Sequence, residues 1–67
     1  MLSNRSRYAL RAMVHLAGLP DGGPATIAEI AEAAAAPRKF LEAILLDLRR
    51  QGLLASKRGR AGGYALG

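Results

Sequence analysis

The stretch Pro37-Arg38-Lys39-Phe40-Leu41-Glu42-Ala43-Ile44-Leu45-Leu46-Asp47-Leu48-Arg49-Arg50-Gln51-Gly52 decides how the rest of the chain is read. Leu41, Ile44, Leu45 and Leu48 fall at i, i+3, i+4 and i+7, the spacing of a helix with one buried side. Pro37 suits the first helical position, where a missing N–H has no intrahelical partner to lose. Gly52 suits the left-handed residue that closes a last turn. The first turn is unusual. Arg38 and Lys39 stand where the helix dipole already presents positive charge, which costs roughly 0.3 kcal/mol or more per cation. A polyanion at this end would reverse the sign, because backbone N–H groups and two cations would then face phosphates together. Solvation of two long side chains is the competing account, and for this helix alone it suffices.

The 67 residues allow one domain, in the size range where a single core is only marginally stable. Tyr8, Phe40 and Tyr64 are the only aromatic residues, so the core must come from Leu, Ile, Val, Met and many alanines. That composition favours closely packed helices over a large sheet. Absence of Cys removes disulfides and thiolate metal sites, as a cytosolic protein is free to do. No run reaches the length of a membrane span, and Met1 to Arg7 lacks the apolar centre of a signal peptide. A cytoplasmic protein is the expectation.

Net charge is +5, and its distribution carries more than its sum. Arg5, Arg7 and Arg11 precede any acid; Asp21, Glu29 and Glu32 fill the middle; seven bases then face Glu42 and Asp47 alone. Eight of the ten bases are Arg, the side chain better matched to phosphate and base edges. Segregated basicity of this kind points to an acidic partner, nucleic acid first and an anionic membrane second.

In chain order, residues 4–19 read as a first helix capped by Ser3 or Asn4. Leu10, Met13, Val14 and Ala17 supply its apolar stripe, with Tyr8, Ala9, Ala12 and Leu16 widening the buried arc. His15, the only histidine, has no plausible co-ligands and reads as a surface or satisfied side chain. Pro20-Asp21-Gly22-Gly23-Pro24 is a turn-rich stop that lacks the Lys-Ser/Thr of a phosphate loop. Thr26-Ile27-Ala28-Glu29 matches a capping box, opening a short second helix with its stripe at Ile27, Ile30, Ala31 and Ala34. Two helices joined so tightly, the second starting with exposed bases, outline a helix-turn-helix. After Gly52, two short extended runs flank Gly59-Arg60-Ala61-Gly62-Gly63 and read as a hairpin. Arg58 and Arg60 at a glycine-rich tip suit a narrow minor groove, although Lys and Arg on a hairpin edge also serve to block unwanted strand pairing.

Together these elements predict a mainly α fold with a small β-hairpin, a winged helix-turn-helix of three helices and a two-stranded wing. The chain also resembles the bacterial iron–sulfur cluster regulator and nitric-oxide-sensitive repressor family of transcription factors, the Rrf type. The resemblance rests on Ser3 with Arg7-Tyr8-Ala9-Leu10-Arg11-Ala12, on Thr26-Ile27-Ala28-Glu29-Ile30-Ala31, and on Phe40-Leu41-Glu42 with Leu48-Arg49 and Gly52-Leu53. It extends to Arg58-Gly59, Gly62-Gly63-Tyr64 and Leu66, and so covers nearly all of residues 1–67.

The resemblance implies a homodimeric regulator of transcription that binds specific sites on double-stranded DNA. The third helix would enter a major groove and the wing an adjacent minor groove. Glu42 would read bases, consistent with a carboxylate accepting from the exocyclic amine of cytosine, and Arg58 would be the minor-groove contact. Ser3, Arg5, Tyr8 and Thr26 would fix register on phosphates. Pro37, Arg38, Lys39, Phe40, Ala43, Lys57, Arg60 and Gly62 complete the expected interface. A Glu42–Arg38 pair at i, i+4, worth only ~0.3–0.5 kcal/mol, is compatible with base reading.

Two residues depart from the family pattern. Ala43 stands where relatives commonly carry an amide, and alanine offers only a methyl contact to thymine. Phe40 replaces a tyrosine and loses a hydroxyl. Leu46 lies on the helix flank and is more apolar than a solvated position requires. Family members continue into a long dimerisation helix and, in sensing branches, three cysteines that ligate an iron–sulfur cluster. With no Cys, no cofactor is expected of these residues, and the chain is expected to be the DNA-binding part of a longer regulator. An enzyme is a poor reading, since five scattered acids and one His form no acid/base pair, nucleophile dyad or metal set. A winged-helix module for protein contact or non-specific nucleic-acid binding is the alternative, and neither a membrane nor a small-molecule substrate is expected.

Overall fold

The computed structural model describes residues 3–57 and 62–67. The Ser3 hydroxyl accepts from the Ser6 N–H at 3.1 Å and so caps α1 (Asn4–Ala17). The helix ends two residues earlier than expected. Leu19 precedes Pro20 and is forced out of the helical region, to φ −88 and ψ 151. The chain makes one tight turn at Pro20–Gly22 and then enters α2 (Ile27–Ala34). Thr26 caps this helix through Oγ1, which accepts from the Glu29 N–H at 3.1 Å. The first half of the expected capping box is thus formed, while the Glu29 carboxylate makes no return bond.

α2 stops at Ala35, which adopts the left-handed conformation at φ 53 and ψ 42. Arg11 Nη1 donates to the Ala34 carbonyl at 3.3 Å, placing a cation on the negative end of α2. Ala35, Ala36 and Pro37 form the turn into α3 (Arg38–Arg50). Pro37 is the cap residue, one position earlier than its expected place inside the helix; its ψ of 133 is extended while its carbonyl already accepts from Leu41 N–H at 3.0 Å. At the other end Leu53 N–H donates to the Leu48 carbonyl and Gly52 N–H to that of Arg49, each at 3.0 Å. With Gly52 at φ 82, this is the glycine-closed helix end expected from sequence.

β1 (Leu54–Lys57) and β2 (Gly63–Leu66) pair antiparallel, Leu54 opposite Leu66 and Lys57 opposite Gly63. A further bridge joins β2 to the start of α2. Ala25 N–H donates to the Tyr64 carbonyl at 3.0 Å, and Tyr64 N–H returns to the Ala25 carbonyl at 2.9 Å. The hairpin is therefore stitched to the helical unit by backbone, immediately before Thr26. A Cβ on Gly63 would collide with the Ala25 carbonyl, so only glycine allows the crossing.

The core is formed by Ala12 and Leu16 of α1, Ile30 and Ala31 of α2, Leu41 and Leu45 of α3, Ala25 and Leu54. Leu19, Ile27, Leu48, Tyr64 and Leu66 pack around it. The stripes expected for α2 and α3 point inward as read. That of α1 does so only in part: Ala12 and Leu16, expected to widen the buried arc, are fully buried, whereas Leu10 and Val14 of the stripe itself are 55% and 63% exposed. α2, α3 and β2 all pack on one side of α1, where the small Ala12 permits close approach, so the inward arc is narrower than eight apolar residues suggested. Leu46 is half-buried.

Candidate nucleic-acid interface

The exposed side of α3 follows from its buried one. With Leu41, Ile44 and Leu45 facing the core, Arg38, Lys39, Phe40, Glu42 and Ala43 are all left exposed on the first two turns. No acid sits in the first turn to offset the helix dipole there. Arg38 Nε and Glu42 Oε1 are 3.7 Å apart, a loose i, i+4 ion pair with the two side chains 65% and 50% exposed. Such a contact holds little energy, so both groups remain available to an incoming partner.

α1 runs beside this surface. Arg5 Nη2 donates to Asp47 Oδ2 at 2.8 Å, linking the N-terminal end of α1 to the last turn of α3. Gln51 Nε2 also donates to that carboxylate oxygen, at 3.3 Å. Tyr8, Phe40, Ala43, Ile44 and Arg5 line a shallow, largely apolar cavity of about 260 Å³ between the two helices. Arg5 and Tyr8, expected at the interface, are thus brought to the same side as Phe40 and Ala43. Ser3 and Thr26 are both occupied as helix caps through their hydroxyl oxygens.

Lys57 is exposed at the end of β1, and Gly62 is half-buried just before β2. The clasp between Tyr64 and Ala25 brings the base of the wing against the backbone that opens α2. Arg58 and Arg60 lie outside the described residues. Two participants escaped the sequence reading. Asp47 was visible only as one of two acids among bases, and nothing in the order of residues paired it with Arg5. Ala25 contributes backbone alone, for which no side-chain signal exists.

No described helix is long and apolar enough to cross a membrane, and among the described residues no group of three or more His, Cys, Asp or Glu could hold a metal ion. An iron–sulfur cluster held by cysteines does not fit the donors of this chain, which has no Cys.

Comparison with known proteins gives a consistent result. The family model described as "Rrf2: Iron-dependent Transcriptional regulator" matches residues 2–67. An rrf2-like HTH-type transcriptional regulator of Rhodobacter capsulatus is 49% identical over 69 aligned positions, covering 98% of this chain and 46% of that protein. The HTH-type transcriptional regulator IscR of Cronobacter sakazakii is 41% identical over 66 positions, covering 98% of this chain and 41% of its own length. Among solved structures, CymR, the global cysteine regulator of B. subtilis, superposes with a TM-score of 0.87 at 36% identity, covering 98% of this chain and 51% of that one. IscR of T. potens gives 0.88 at 36% identity, covering 98% and 48%. These proteins are regulators of transcription rather than enzymes, and this chain spans about half their length or less.

Proposed function

The chain belongs to the Rrf2 family of transcriptional regulators, and on that premise we propose that it binds double-stranded DNA at specific sites, acting as one half of a homodimer. In this reading α3 enters the major groove, with Arg38 and Lys39 on phosphates and Glu42 accepting from cytosine. Ser3, Arg5, Tyr8, Thr26 and Pro37 flank the backbone. The wing, with Lys57, Arg58, Arg60 and Gly62, follows the adjacent minor groove.

One observation carries the proposal. Arg38, Lys39 and Glu42 stand exposed on the first two turns of a helix whose opposite side is core. Cations at that end oppose the helix dipole, and a lone carboxylate among them would oppose a phosphate backbone. Both placements make sense together when phosphates meet the cations and a base edge meets the acid.

The test is competition of a duplex selected from a random pool against bulk DNA at about 0.15 M salt, where a specific site wins by ~10³-fold or more. Two linked half-sites raise that margin in a dimer. Glu42→Ala then relaxes the preference at a C·G pair by ~1–3 kcal/mol. An unchanged ranking of duplexes in the variant removes Glu42 from base reading. Equal binding of all duplexes by the unaltered chain leaves only a non-specific or protein-contact module.

A further inference from the structure

Phe40 is 65% exposed, more than any other large apolar side chain among the described residues, and it stands between the cationic first turn of α3 and Ala43. Its neighbours in the shallow cavity are Tyr8, Ile44 and the Ala43 methyl, so the edge of α3 facing α1 is apolar and open. Around it lie Arg5, Arg38 and Lys39. A second copy of the chain is a poor occupant, because docking this edge on itself would bring Arg38 and Lys39 of both copies together. A DNA major groove is different. Its walls are phosphates, which match the cations, and its base edges present a single apolar group, the thymine 5-methyl.

From this we infer that the Phe40–Ala43 edge of α3 recognises thymine by its methyl group, next to the C·G pair read by Glu42. The inference rests on the reading of α3 as a major-groove helix and adds to it the second base that the helix selects. Phe40 and Ala43 are three residues apart, on one side of the helix and separated by about 4.5 Å of axial rise. A base step is about 3.4 Å, so the edge covers one or two neighbouring thymines. Glu42 lies one residue before Ala43, turned by about 100°. The preferred half-site therefore joins a cytosine, chosen by a hydrogen bond, to adjacent thymine, chosen by apolar contact.

The test alters the DNA rather than the protein. In a duplex selected as above, each thymine is replaced in turn by deoxyuridine, which keeps every hydrogen-bonding group and removes only the methyl. At one or two positions within two steps of the C·G pair, uracil weakens binding about fourfold, the worth of one buried methyl-sized group. In Phe40→Ala and Ala43→Ser together, the ratio of thymine to uracil affinity at those positions falls to about one. Arg38→Ala weakens both duplexes alike. Specific binding with equal affinity for thymine and uracil at every position overturns the inference and leaves the proposed function standing. A Phe40→Ala loss that is the same for both duplexes also overturns it, assigning Phe40 to the sugar–phosphate backbone. Absence of any selected duplex fails the proposed function and this inference with it.

Discussion

Arg5 and Asp47, 42 residues apart in sequence, meet at 2.8 Å and hold the N-terminal end of α1 against the flank of α3. The two side chains are 60% and 45% exposed, so water and salt screen the attraction strongly. An exposed pair of this kind contributes about 0.2–1 kcal/mol. Asp47→Asn should lower stability by less than about 1 kcal/mol, and the difference should shrink in denaturant melts at 0.5 M rather than 0.05 M salt. In DNA binding the sign reverses. Loss of a negative charge and release of Arg5 should strengthen binding to all duplexes alike and steepen the salt dependence by about one phosphate contact.

Gly63 has no room for a single added methyl. The added Cβ of Gly63→Ala would enter the Ala25 carbonyl, which is already engaged by Tyr64 N–H at 2.9 Å. Either the clasp opens, losing two backbone bonds worth about 0.5–1.5 kcal/mol each, or the strand shifts at an overpacking cost of about 1–3 kcal/mol. A loss near 2 kcal/mol corresponds to a fall in Tm of about 8–16 °C for a domain of this size. Gly52→Ala is the comparison. Its Cβ would meet nothing within 4 Å, and only the strain of φ 82 remains, about 1–2 kcal/mol.

Much of the architecture was legible because α2 and α3 carry short, single stripes bounded by real stop signals: Thr26 before one, Gly52 after the other. The exposed residues of α3, and so its part of the candidate interface, followed directly from knowing which residues were buried. α1 misled because it is apolar over most of its circumference. Helical spacing identifies a helix whichever stripe is chosen, and the arc was centred on Leu10 and Val14, with Ala12 and Leu16, which actually meet the core, only widening it. The Ala25–Tyr64 clasp and the Arg5–Asp47 pair were illegible for a different reason. Backbone bonding has no residue code, and opposite charges far apart in sequence are paired only by the fold.

That correction of α1 can be checked by stability alone. Leu16 is fully buried, and Leu16→Ala should cost about 2–5 kcal/mol. Val14, 63% exposed two residues earlier, should tolerate Val14→Lys within about 0.5 kcal/mol. Were the stripe of Leu10, Met13, Val14 and Ala17 turned inward as well, Val14→Lys would be strongly destabilising too.

Ala35 offers a gain rather than a loss. Its φ of 53 closes α2 in a conformation that costs an L-residue about 1–2 kcal/mol and glycine almost nothing. Ala35→Gly also loosens the unfolded chain, which returns about 0.4–1 kcal/mol of that advantage. The net expectation is a stabilisation of about 0.5–1 kcal/mol, seen as a rise in Tm of roughly 2–8 °C. Pro37, one turn residue away from the strain, already fixes the entry to α3, so the substitution should leave the exposed face of that helix in place.

Arg38 and Lys39 separate an electrostatic grip from sequence reading. Each is exposed in the first turn of α3, and neither side chain contributes to the core. Arg38→Ala and Lys39→Ala should therefore leave the fold intact and slightly relieve the unfavourable charge–dipole interaction, by a few tenths of a kcal/mol. Both should weaken binding to every duplex and lower the slope of log K against log salt by about one each. The ranking of duplexes should not change, whereas Glu42→Ala alters the ranking. Arg38 is the sharper of the two, because its removal also frees Glu42 from the 3.7 Å contact. If Arg38→Ala changed base preference as Glu42→Ala does, the pair would act as one reading unit, and the division between phosphate contact and base contact along this helix would fail.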